Sequence, residues 1–60
     1  MTAEINNIKE MAGKIALIKK EARELKEMSS GNPSVDKNTD RILSSVKMLE
    51  INVSDVAEIL

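Results

Sequence analysis

A chain of 60 residues with nine basic and ten acidic side chains and a formal net charge of −1 holds one small domain and carries no overall field to recruit nucleic acid or anionic lipid. Cys and His are absent, which excludes disulfides and thiolate or imidazole metal sites and removes the side chains that most often exchange protons or attack near neutral pH. Phe, Tyr and Trp are absent too, so the core is aliphatic, and Ile, Leu, Val, Met and Ala mixed with Lys and Glu is the composition of helix bundles.

The first predicted helix covers about residues 3–30, because Ile8, Met11, Ile15, Ile18, Ala22 and Leu25 recur at 3-4-3-4-3 spacing on one helical stripe. Thr2 is placed to cap its start, with Glu4 near the positive end of the helix dipole. Six cations, Lys9, Lys14, Lys19, Lys20, Arg23 and Lys26, also fall on this helix. The four from Lys19 to Lys26 form the candidate nucleic-acid contact, a ridge suited to RNA phosphates. Acids interrupt that ridge: Glu10/Lys14, Lys20/Glu24 and Arg23/Glu27 read as i,i+4 pairs worth about 0.2–0.5 kcal/mol each.

A turn at about residues 31–34 follows. In Ser29-Ser30-Gly31-Asn32-Pro33-Ser34, Gly31 suits the left-handed conformation that ends a helix, Asn32 suits an N-cap, and Pro33 suits a first helical position. Ser34 or Asp36 is an alternative cap that lengthens the loop. Asp36 and Asp40 sit four apart, without the spacing of a calcium loop, and complement the dipole of the next helix.

The second predicted helix covers about residues 35–60, with Ile42, Val46, Leu49, Val53, Val56 and Leu60 at 4-3-4-3-4 spacing. Reversal about Asn32 sets Leu25 opposite Thr39, Ala22 opposite Ile42, Ile18 opposite Val46, Ile15 opposite Leu49, Met11 opposite Val53 and Ile8 opposite Val56. Seam thus meets seam, with Thr39 a mild polar intrusion. Turn chemistry and hydrophobic register agree, as they do in foldable sequences. Ser44 and Lys47 lie one helical turn apart, but no oxyanion hole or pocket accompanies them.

The apolar surface is wider than one seam. Ile5 and Ala12 broaden the first stripe, Leu43 and Ala57 the second, and Met48, Ile51 and Ile59 point outward from the second helix. Such a face touches more than one neighbour. A domain this small hides only about 60% of the surface its unfolded chain exposes. With disulfide and metal closed to it, association is the remaining source of stability.

The expected fold class is therefore all-α: an antiparallel two-helix hairpin, one domain over residues 1–60, assembling as a homodimeric four-helix bundle. Self-association is assigned to Ile8, Met11, Ile15, Ile18, Leu25, Ile42, Val46, Leu49, Val53, Val56 and Leu60, and a partner or dimer surface to Met48, Ile51 and Ile59. The expected function is that of a non-enzymatic interaction module that binds itself and a protein partner, with a small dimeric RNA-binding bundle as the alternative. No apolar run reaches the roughly 20 residues of a membrane span, and Met1-Thr2-Ala3-Glu4 lacks the start of a signal peptide. The expectation is a cytoplasmic chain without cofactor or membrane partner.

Overall fold

The computed structural model describes the backbone of residues 2–59 and the side chains of residues 7–59. The expectations for capping by Thr2, for Glu4 and Ile5 near the helix start and for Leu60 at the end of the seam lie outside the described side chains. All described elements are helical: α1 (Thr2–Met28), α2 (Pro33–Leu49), a π-helical segment (Glu50–Ser54) and α3 (Asp55–Ile59). Right-handed helical angles continue through both junctions, at Glu50 (φ −61°, ψ −43°) and at Asp55 (φ −66°, ψ −36°). The last three elements are thus one unbroken second arm, and it folds back along α1, which touches α2, the π segment and α3. No described helix is long and apolar enough to cross a membrane.

The reversal is built as its residues dictate, two residues earlier than expected at its start. α1 stops at Met28 because Ser30 and Gly31 both take positive φ, +49° and +87°, which winds the chain out of the right-handed helix. Asn32 then caps α2: its side-chain oxygen accepts from the backbone N–H of Ser34 (3.1 Å) and of Val35 (3.3 Å), and Pro33 occupies the first turn. The alternative caps are not used. Asp36 instead accepts from the Ser29 hydroxyl at 2.5 Å, tying the end of α1 to the start of α2 across the turn.

Packing uses the two predicted seams by halves. Ile15, Ala22, Val46 and Thr39 are buried, and Ile8, Ala12, Lys19, Leu43, Glu50 and Val53 are half-buried. On α1 the inward stripe therefore runs Ile8, Ala12, Ile15, Lys19, Ala22, and on the second arm Thr39, Leu43, Val46, Glu50, Val53. Met11, Ile18, Leu25, Ile42, Leu49 and Val56, assigned to the same seams, stay between 39% and 47% exposed. The expectation that every seam residue meets another inside the hairpin is corrected here. Two helices share one narrow contact, so each turns only one edge of a broad apolar arc toward the other.

Thr39 is the most buried of the described side chains, at 1% exposure beside Val46 at 2%. Its hydroxyl lies 2.8 Å from the Val35 carbonyl and 3.0 Å from the Asp36 carbonyl, and donates within its own helix. A buried hydroxyl satisfied this way costs little, which is why a polar residue can sit at the centre of so small a core.

Within the described helical arms the π segment departs from regular winding. The Asp55 N–H reaches back five residues to the Glu50 carbonyl, so one turn holds an extra residue. Val53 and Ser54 are both half-buried, and Ala57, seven residues after Glu50, continues the half-buried row of the second arm. Val56, expected on the seam with Leu49, is 39% exposed, close to Leu49 at 41%.

Candidate functional site

The hairpin has two flanks, one on each side of the line where its arms touch. On the first, Lys19 Nζ donates to Glu50 Oε2 at 3.0 Å, and Lys26 pairs with Asp40 nearer the turn. These two pairs link α1 to the second arm. The Asp40 carboxylate accepts a hydrogen bond from Lys26, and this bond, opposed by desolvation and aided by the charges of Asp40 and Asp36, holds the ammonium above the ordinary lysine value. Farther from the turn the same flank carries small side chains, Ala12, Ala16, Ser54 and Ala57, in a shallow groove edged by Lys9, Glu50 and Glu58.

The opposite flank has no ion pair between arms among the described residues. Along α1 it presents Met11, Ile18 and Leu25, and along α2 Ile42 and Leu49, all half exposed. Leu17, Ile18, Ala22, Leu25 and Ile42 line an apolar groove there, with Glu21 at its edge. Beside the α1 row stand Lys14 and Glu21, and beside the α2 row the uncharged Asn38 and Ser45. Chemically this flank can bury aliphatic surface against another helix, and it can do little else.

Of the residues assigned to self-association, the hairpin itself uses Ile15 and Val46 fully and Ile8 and Val53 in part. Met11, Ile18, Leu25, Ile42 and Leu49 lie on the uncovered flank, Val56 beyond the π segment is 39% exposed, and Leu60 lies outside the described residues. Met48, Ile51 and Ile59 are 58%, 50% and 84% exposed, away from both arms' contact line. The four candidate nucleic-acid cations do not act as one ridge. Lys19 and Lys26 are drawn into ion pairs with the second arm, which leaves Lys20 and Arg23 exposed between Glu21, Glu24 and Glu27.

Three contributors were missed in the residue pattern. The Lys19–Glu50 and Lys26–Asp40 pairs join charges far apart in sequence, and only the cations' seven-residue spacing hinted that they share a face. Thr39 sits seven residues before Val46, a heptad position discounted because it is polar. The π turn has no composition of its own, and nothing in Glu50–Ser54 announces it. No protein-family model, curated protein or solved structure matches this chain.

Proposed function

We propose that this chain is a non-enzymatic helical interaction module that self-associates as a homodimeric four-helix bundle and binds a protein partner. The observation that carries the reading is the uncovered flank: five aliphatic side chains, Met11, Ile18, Leu25, Ile42 and Leu49, stay at least 39% exposed. The described core buries fully only three apolar side chains, Ile15, Ala22 and Val46. A core of that size does not offset the ordering cost of a 60-residue chain, about 1.5 kcal/mol per residue. Covering the flank supplies the missing burial, at roughly 25 cal/mol per Å² of apolar surface.

Folding and association are then one process. Sedimentation and circular dichroism across a dilution series test this: the expected result is a dimer whose melting temperature falls on dilution. A monomer with a concentration-independent melting temperature overturns it. Partner binding is assigned to Met48, Ile51 and Ile59, which dimerisation through the uncovered flank leaves free. Ile51→Lys is expected to keep the dimer's mass and melting temperature while removing heterologous binding. A shift toward monomer would instead place that row inside the self-interface.

A further inference from the structure

The uncovered flank also encodes how the second copy sits. Along α1 it reads Met11, Lys14, Ile18, Glu21, Leu25. Read backwards it has the same form: a long aliphatic at each end, Ile18 in the middle, and opposite charges at the positions between. Met11 and Leu25 each lie seven residues from Ile18, with Lys14 four before it and Glu21 three after. A row that is its own complement under reversal is what an isologous twofold contact requires, since each residue must face its counterpart on an identical surface.

From this we infer that two hairpins pair with α1 antiparallel to α1 of the second copy, about a twofold axis crossing α1 at Ile18, with their turns at opposite ends. Met11 meets Leu25, Ile18 meets Ile18, and Lys14 faces Glu21, each across the axis. The inference rests on the self-association proposed above and fixes its geometry. The second arm agrees with it. The Lys19–Glu50 pair at 3.0 Å puts Leu49, one residue before Glu50, within about one helical turn of the level of Ile18. One axis therefore crosses both arms at large aliphatic side chains. The α2 row beside it, with Asn38 and Ser45, carries no charge to repel its own copy. A parallel pairing, with both turns at one end, sets α1 against the second arm of the other copy. Lys14 and Glu21 then face only uncharged residues of this row, and the charge symmetry of α1 is left without use.

Two measurements test it on the full chain, which has no native cysteine. A nitroxide on Glu27→Cys, an exposed position nine residues from Ile18, should lie about 27 Å from its copy along the helix axis alone, twice nine residues at 1.5 Å each, with the width of the bundle added to that. Turns at the same end remove that axial offset, so a separation no longer than the width of the bundle would mean turns at the same end. The second measurement is the dimer dissociation constant of K14E, E21K and the double swap. Each single reversal places like charges together at both symmetry-related contacts and should raise the constant by about three- to thirtyfold, and the double swap should restore it. A dimer with short label distances, or one indifferent to the single reversals, overturns this geometry and leaves self-association standing. A monomer at every concentration overturns both.

Discussion

The two flanks of the hairpin have the same helices behind them and opposite finishes. One is closed by charge, with Lys19 on Glu50 and Lys26 on Asp40. The other is left aliphatic, with Met11, Ile18, Leu25, Ile42 and Leu49 half exposed and no described ion pair between the arms. The difference teaches where stability is missing. Ion pairs that water still reaches, as it reaches both of these, contribute little each, at most about 1 kcal/mol, so the charged flank gains little by being covered and would lose hydration. Burying the aliphatic flank gains in proportion to its area.

Neighbouring residues break this comparison most sharply. Ile18→Lys puts a charge on the aliphatic flank of each copy, and is expected to cost about 2 kcal/mol or more per chain and to remove both dimer and fold in a denaturant titration. Lys19→Ala, one residue on, removes a partner from the charged flank and is expected to cost about 1 kcal/mol or less. Equal effects would erase the distinction between the flanks.

The turn reverses the chain and sets the two arms side by side. Gly31, at φ +87° with nothing within 4 Å of where a Cβ would sit, is constrained by its backbone alone. Gly31→Val should destabilise by about 1 kcal/mol or more, read as a lowered melting temperature. Ser30, at φ +49°, carries that strain already. Ser30→Gly should leave stability unchanged or raise it by up to about 1 kcal/mol, and a marked loss would show that the Ser30 side chain has a role of its own.

Thr39 sharpens the comparison from the core. Its hydroxyl bonds only to carbonyls of its own helix, so Thr39→Val keeps the shape and is expected to change stability by no more than about 1 kcal/mol. Thermal melts at fixed protein concentration decide it.

The smallest effect belongs to pH. The Lys26 ammonium is held above the ordinary lysine value by its hydrogen bond to Asp40. A raised pKa in the folded state means that the pair's contribution is fully present below the unfolded lysine value and is lost as pH rises through the folded one. Wild-type and Lys26→Met chains should therefore differ by a constant amount through neutral pH and converge in alkaline solution. Because both side chains are exposed to solvent, added salt should shrink the difference.

The residue pattern by itself determined the local structure. Helical spacing set two arms, and Gly31, Asn32 and Pro33 set the reversal, with Asn32 capping Ser34 and Val35 as its side chain predicts. Those features depend on residues within a few positions of one another, and local chemistry suffices for them. Much of the candidate surface was legible in the same way, since the heptad rows contain every aliphatic residue named on the uncovered flank except Leu17. What the pattern left open was the rotation of each arm. Ile15 and Ile18 are equally apolar and belong to one stripe, and only the approach of the second arm buries the first and leaves the second 46% exposed. The π turn at Glu50–Ser54 was likewise not announced by the spacing of its residues. Spacing in a sequence fixes which residues share a helical face. Which edge of that face meets a neighbour depends on two helices at once, and that choice was made by packing.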